Sequence, residues 1–397
     1  MSTPTTLRAR FARPLRLAII GGGPASWIGD MHRSAAELDG NWTVVAGVLS
    51  SNPQRAREAG MAIGLAPARC YGDVAELLAQ ERAREDGADA VAIMTPNDTH
   101  YPYAAAALDA GFDVLCDKPV THDLAQARAL VGKVDAGRRL FAITHGYSAY
   151  PMVRHAHHLV ASDVLGDLRL VQVEYLQSGL ATRVEDGPRA PRYDWLLDPR
   201  RSGLALVMGA IGCHAQHLAC FVAGRQIRRV SADVGALMPG RTVTDHVSAL
   251  LEFDGGARGT FTATQAAAGA ENDIRLRLFG EKGSLEWSHR TASYLQLAIQ
   301  GEATRLIGRG DAFLPPEVLA AGRTPRGHPE GLREAFANIY SELALERMAI
   351  TLGEPFTPAP YPRIADGAHT MAFIEACIAS HANGRWVDVA SVPVTGS

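Results

Sequence analysis

Three groups of residues in this sequence have the types and spacing that chemistry requires. The first is Leu17-Ala18-Ile19-Ile20-Gly21-Gly22-Gly23-Pro24-Ala25-Ser26-Trp27-Ile28-Gly29, where an apolar run enters glycines and leaves into a helix start. Gly21 permits a tight turn, and Gly23 lets backbone approach a pyrophosphate without a Cβ clash. The helix N-terminus that follows offers unsatisfied N–H groups to that anion. Ser26 stands where a third glycine is usual, and Gly29 is read as its replacement after a lengthened loop. With Pro24, Trp27 and Ile28 the segment is expected to cradle NAD or NADP. The second group is Lys118, one of only three lysines (with Lys133 and Lys282) in an arginine-rich chain. It ends an apolar run, where α/β sheets bind ligands, and unlike arginine it can lower its pKa when desolvated. The third is His214, with His217 three residues on. An imidazole titrates near neutral pH and can take the proton that an alcohol loses as it is oxidised.

Such groups need a scaffold, and its periodicity is legible. Apolar runs at Leu15–Ile20, Thr43–Leu49, Ala90–Met94, Asp113–Cys116 and Leu140–Thr144 read as strands buried on both faces. Between them, Pro53–Gly64, Asp73–Arg84, Asp98–Ala110 and Leu124–Ala136 carry helical spacing, with Asp73 and Thr121 as capping residues. A β-α-β series of this kind predicts a doubly wound parallel sheet, an α/β Rossmann domain over residues 15–148. A flexible basic tail, residues 1–14, precedes it. After a linking helix at Arg154–Ala161 the pattern changes to two-residue alternation, as in Ile274–Leu278 and Arg258–Thr262, with glycine turns between. This predicts an α+β domain over 149–397 with an open antiparallel sheet, helices at 209–223, 331–350 and 363–383 covering one face. Tyr147, just past the last Rossmann strand, is expected to face the cleft and line the ligand site.

Composition excludes several functions. A chain of 397 residues exceeds one ordinary core, so two domains are the default. The net charge of −3 gives no case for nucleic-acid or membrane binding. No apolar stretch approaches the ~20 residues of a membrane span, and the apolar run after the N-terminal arginines is too short for a signal peptide, so a cytoplasmic location is expected. The five cysteines are scattered without C-x-x-C spacing, and His155, His157 and His158 lack acidic or cysteine partners and read as a solvated helix face. No metal is expected. The second strand ends at Ser50, where a carboxylate would favour NAD. Serine with Arg55 or Arg57 nearby suits a 2′-phosphate, so NAD and NADP both stay open.

Two further segments carry a family resemblance. Met94-Thr95-Pro96-Asn97-Asp98-Thr99-His100 and Cys116-Asp117-Lys118-Pro119 each follow a Rossmann strand. With the glycine loop, they resemble the Gfo/Idh/MocA oxidoreductases, the family of glucose–fructose oxidoreductase and inositol dehydrogenase. The similarity runs over most of the chain, and a late Gly327-His328-Pro329-Glu330-Gly331 segment resembles one branch of it. The resemblance implies that Thr95, Pro96, Asn97 and His100 lie along the cofactor. Lys118, beside Asp117 in place of the family's glutamate, would touch the nicotinamide ribose and the reacting hydroxyl. His328 would reach the active site, and the second sheet would build homodimers or homotetramers.

The stretch Trp195–Gly203 followed by Met208–His214 is similar to the family's W-R-x-D-P…D-x-G-x-H segment, and its last histidine is His214. The aspartate position is Ala210 and the arginine position Leu196. Alanine cannot orient an imidazole or hold a hydroxyl, and three accounts of it are open: polar contacts from Asp245, His246 or His217 instead, a deliberate Asp→Ala change, or loss of catalysis. The expected function is NAD(P)-dependent hydride transfer at a hydroxyl of a small-molecule sugar or cyclic polyol. The alternatives are glycoside hydrolysis through transient oxidation, and a catalytically silent dinucleotide sensor.

Overall fold

The computed structural model describes residues 3–187, 192–202, 206–357 and 360–392; Gly203 of the tryptophan segment lies outside them. Five parallel strands, β1 (Leu15–Gly21), β2 (Trp42–Val48), β3 (Ala90–Met94), β4 (Asp113–Cys116) and β5 (Phe141–Ile143), form the first sheet in the order β2-β1-β3-β4-β5. Every residue of β3, β4 and β5 is buried, as continuous apolar runs between two helical layers require. The chain leaves β1 towards β2 and returns on its other side as β3, so a crevice opens at their carboxyl ends, where Gly21 pairs with Met94. Such switch points are where α/β sheets hold ligands. Asp73 caps the helix Val74–Ala83 as expected. The helix Leu124–Gly137 is capped by Asp123 rather than Thr121, because Asp123 accepts the N–H of Gln126.

The second sheet has nine strands: β6 (Leu168–Gln177), β7 (Ile227–Gly235), β8 (His246–Phe253), β9 (Arg258–Thr264), β10 (Asn272–Gly280), β11 (Gly283–Ser288), β12 (Tyr294–Ile299), β13 (Arg305–Gly308) and β14 (Val387–Asp388). Their order is β13-β12-β11-β10-β6-β9-β8-β7-β14, antiparallel except for the parallel pair β6–β9. Alternation sets the two faces. One cross-strand row, Ala249-Phe261-Val173-Leu276-Trp287, is wholly buried. The adjacent row, Leu250-Thr260-Gln172-Arg277-Glu286-Gln296-Leu306, points outward. The helices Pro151–Ala161 and Cys213–Ala223 pack together on the inner side, the latter across β6, β9 and β10.

The C-terminal helices then return to the first sheet. Leu332–Leu352 packs on Trp27–Glu37, and Ile364–Asn383 joins β7 to Leu124–Gly137. The Trp42 indole N–H donates to the carbonyl of Tyr340 at 2.8 Å across this seam. The expected flexible tail is corrected here. Residues Pro4–Phe11 form a helix, capped by the Thr3 hydroxyl on the N–H of Thr6, and Leu7 is fully buried beside Leu332–Leu352. Burying one leucine is worth about 1.5–3 kcal/mol, enough to hold a short capped helix on a ready surface. His155 is also corrected from a solvated face to a buried one. Neither of its ring nitrogens has a hydrogen-bond partner, and burial pushes its pKa down to about 4.

Candidate active site

The glycine loop is built as a cradle. Gly21 and Gly22 both take left-handed backbone (φ 86° and 67°), and a Cβ on Gly21 would sit 2.7 Å from the carbonyl oxygen of Met94. Ser26 caps the helix Trp27–Glu37 by accepting the N–H of Gly29, leaving the N-terminus turned to the crevice. A Cβ on Gly29 would overlap the backbone of Gly22, so Gly29 is the close-packing glycine of the lengthened loop. These residues fit a dinucleotide: strand-end glycines without side chains, then an anion-binding helix start. Trp27, in the first turn of that helix, is 67% exposed, with Ile28 following it and Pro24 in the loop before it. Gly29→Ala is expected to raise the NADH dissociation constant about tenfold or more, since overpacking of this kind costs ~1–3 kcal/mol. A fluorescence titration measures it; unchanged affinity would remove Gly29 from the cradle.

The strand ends beyond it are tied together. His100 is buried, with Nδ1 2.7 Å from the carbonyl of Pro119 and Nε2 2.8 Å from that of Thr95, so it fastens the β3 loop to the β4 loop. The Asn97 amide donates to the carbonyl of Ser202 at 3.0 Å, and Pro96 precedes the 3-10 turn Asn97–Thr99. Asp117 Oδ1 accepts from the Lys118 backbone N–H and from the Thr144 hydroxyl, each at 2.8 Å, which joins the ends of β4 and β5. Burial raises the Asp117 pKa, but Lys118, His32, His100 and the Thr144 hydroxyl outweigh it, and the carboxylate is held below its ordinary range.

Lys118 reaches out of the first sheet to the second domain. Its ammonium donates to the Ala210 carbonyl at 2.9 Å. That carbonyl lies in a π-helical turn, Met208–Gly212, that leads into Cys213–Ala223, and wider turns of this kind mark functional sites. His214 therefore stands one turn beyond the lysine's anchor. Its ring meets Tyr147 edge-on (centroids 5.1 Å), Tyr175 (6.3 Å) and His145 (5.5 Å). His145 in turn stacks on His217 at 4.4 Å, and His217 on Phe221 at 6.0 Å. Burial first, then Lys118 and His217, push the His214 pKa well below the ordinary histidine value. His145 is lowered likewise by burial and by His217, His214 and Lys118, so all three rings are neutral at neutral pH.

Behind His214 lies a closed hydrogen-bond ring. Tyr175 donates to Asn272 Oδ1 (2.6 Å), Asn272 Nδ2 donates to the Tyr147 hydroxyl (2.9 Å), and Tyr147 therefore donates to Tyr175 (2.7 Å). Gln177 adds donors to Tyr175 and Asn272. His145, Tyr175, Asn272 and Gln177 escaped the sequence reading. His145 was legible as a polar residue at a strand's carboxyl end and Tyr175 as a hydroxyl in an apolar row, whereas Asn272 and Gln177 left no signal.

Other expected residues go elsewhere. Asp245 is fully buried and spent on Arg241 (2.8 Å) and on the N–H groups of Leu237 and Met238, so it supplies no contact to His214. His246 sits on the sheet beside Ser248, 3.1 Å from its hydroxyl. His328 does not reach the His214 site; it is exposed in the turn before Leu332–Leu352, and its carbonyl accepts from Arg309 and Thr324. The segment around it is structural, because Glu330 binds Arg309 and the N–H groups of Arg323 and Thr324. Arg57 is committed to Glu76, whereas the Arg55 side chain is exposed without a partner among the described residues. Ser50 accepts the N–H of Asn52 at the end of β2.

Residues 15–145 match the oxidoreductase family with an NAD-binding Rossmann fold, and residues 153–286 match the GFO/IDH/MocA C-terminal domain. The chain belongs to the GFO/IDH/MocA oxidoreductases. An uncharacterised oxidoreductase of Bacillus subtilis is 30% identical over 384 residues, covering 95% of this chain and 97% of that one. An inositol dehydrogenase homologue of Azotobacter vinelandii, solved with NAD+, is 34% identical with a TM-score of 0.91 over 96% of this chain and 98% of its own. The same homologue with NADH and myo-inositol gives 33% and 0.87 over the same shares of the two chains. Levoglucosan dehydrogenase of Pseudarthrobacter phenanthrenivorans is 24% identical over 76% of this chain and 80% of its own. This GFO/IDH/MocA protein is thus an NAD(P)-dependent oxidoreductase. Among its described residues no group of histidine, cysteine and acidic side chains could hold a metal ion, and no helix is long and apolar enough to cross a membrane.

Proposed function

We propose that this oxidoreductase moves hydride between nicotinamide and a hydroxyl-bearing carbon of a sugar or cyclic polyol. One observation carries it: Lys118 from the parallel sheet anchors on Ala210, so that its ammonium and the His214 imidazole, from opposite halves of the molecule, meet at one place. Relatives solved with NADH and myo-inositol, or named for levoglucosan, support the substrate class. The loop Gly21–Ile28 would hold the pyrophosphate, with Thr95–Asn97 and Lys118 along the nicotinamide half. The bound cofactor supplies or accepts hydride.

The protein's own residues handle the proton and the charge. An ammonium has three N–H donors, and Ala210 takes one, leaving two to polarise the hydroxyl oxygen. His214, kept neutral, accepts the hydroxyl proton. Tyr147 completes the pocket, His217 backs it by stacking on His145, and Asp117 acts as a positioning residue for Lys118. A panel of polyols and sugars followed at 340 nm with NAD and NADP tests the reading; nucleotide binding without turnover of any hydroxyl compound would overturn it.

Cofactor choice is assigned to the end of β2. Ser50 brings no carboxylate, and Arg55 is free to meet a 2′-phosphate, so NADP is accommodated as well as NAD. Ser50→Asp is expected to raise the NAD-to-NADP ratio of kcat/KM at least ~10-fold, since a carboxylate repels the phosphate and binds ribose hydroxyls. An unchanged ratio would move the ribose site away from residue 50. The outward row of the nine-stranded sheet, with Leu250 at 54% and Leu306 at 68% exposure, is the surface assigned to a homodimer or homotetramer.

A further inference from the structure

Around the reacting pair the imidazoles are neutral, and the charged group that acts on His214 and His145 is the Lys118 ammonium. Lys118 and His217 act on His214; His217, His214 and Lys118 act on His145; no carboxylate is in either set. Asp366 lines a separate cavity with His217 and reaches only that ring of the three. Asp117 is the carboxylate coupled to the Lys118 charge, and it also faces His32 and His100; its Oδ1 is engaged by the Lys118 N–H and the Thr144 hydroxyl, which leaves the ammonium's own N–H groups to Ala210 and a ligand. Position 210, one turn ahead of His214, presents a methyl group and gives the ammonium only a neutral carbonyl. The segments outside the described residues contain no aspartate or glutamate.

Two buried ring atoms also lack partners, Nδ1 of His145 and Nδ1 of His214. The Tyr147–Tyr175–Asn272 ring is the opposite kind of surface. Each hydroxyl proton in it is used internally, so Tyr147 offers a further ligand only a lone pair. A ligand complementary to both surfaces donates hydroxyl protons on one side and presents a concentrated acceptor on the other.

We infer that the substrate is a sugar acid, an aldonate or uronate, whose carboxylate is received by the Lys118 ammonium and the His145 imidazole while its hydroxyls face Tyr147 and His214. This rests on the hydride-transfer reading above and names its substrate class. A carboxylate at residue 210 would compete for Lys118 and repel that anion; alanine admits it.

Calorimetry on the protein–NADH complex tests this with matched pairs: gluconate against glucitol, galacturonate against galactose, glucuronate against glucose. The acid of at least one pair is expected to bind about tenfold or more tightly than its neutral partner, the scale of one added charge-assisted hydrogen bond, and to weaken as salt rises. Ala210→Asp is expected to abolish that preference, and Ala210→Asn, of the same shape without the charge, to keep it. Neutral partners binding as well as the acids in every pair, or an acid preference surviving Ala210→Asp, overturns the inference while leaving hydride transfer intact. Failure of the protein to bind NADH would overturn the parent reading, and it is read separately from nucleotide fluorescence.

Discussion

Lys118→Met is expected to lower kcat for alcohol oxidation by about 10²–10³-fold, the scale lost when one preorganised donor to a developing oxyanion is removed. Methionine keeps the length and apolar stem and deletes only the ammonium. Nucleotide affinity should change by less than about tenfold, because the pyrophosphate cradle of Gly21–Ile28 does not involve the lysine. A second readout separates chemistry from scaffolding. Lys118 is one of the groups that push His214 below the ordinary histidine value, second to burial, so deleting its charge must raise the His214 pKa. In the proposed mechanism the neutral ring is the base, so a raised pKa moves the acid limb of kcat/KM upward in pH. Stopped-flow and steady-state absorbance at 340 nm measure both effects. A variant with near-normal kcat, or with an unmoved acid limb despite lost activity, would remove Lys118 from the reacting centre.

Much of this architecture was legible because local and global signals agree. The all-buried strands β3 and β4 were continuous apolar runs, and the glycine loop showed its own logic, including Gly29 as the distant third glycine. The misses have physical causes. The helix Pro4–Phe11 is held by one buried leucine against a helix more than 300 residues away, and no local periodicity reveals such a surface. Asp245 looked available because a sequence does not show that Arg241, one turn-length earlier, captures it. His145 became visible only when β5, β6 and the helix Cys213–Ala223 converged, since its chemistry lies in two neighbouring rings from another domain. That residue 210 brings no carboxylate was evident in the sequence. That its backbone carbonyl still anchors Lys118 was not, because the π-helical turn that aims it is a property of the fold.

His214→Asn carries the other large effect, an expected fall in kcat/KM of about 10²–10⁴-fold, the range for loss of a positioned general base. Asparagine retains a polar group of similar reach but cannot accept a proton near neutral pH. The sign of the pH dependence follows from the environment of the ring. Burial, Lys118 and His217 all disfavour the imidazolium, so the His214 pKa lies well below 6.5 and the base is already deprotonated at neutral pH. Wild-type kcat/KM for oxidation should therefore be level through neutrality and fall only on the acid side of 6.5, where the ring takes a proton. In His214→Asn that acid limb disappears, and the residual rate follows hydroxide or nothing. Retention of the acid limb in the variant would assign the proton to His145 instead, whose pKa is lowered by burial and by neighbouring rings and Lys118, and whose Nδ1 is equally unpartnered. The double variant His145→Asn/His214→Asn decides between them: it should be no slower than His214→Asn alone if His214 is the base, and slower by a further factor of ten or more, about 1.4 kcal/mol, if the two rings substitute for one another.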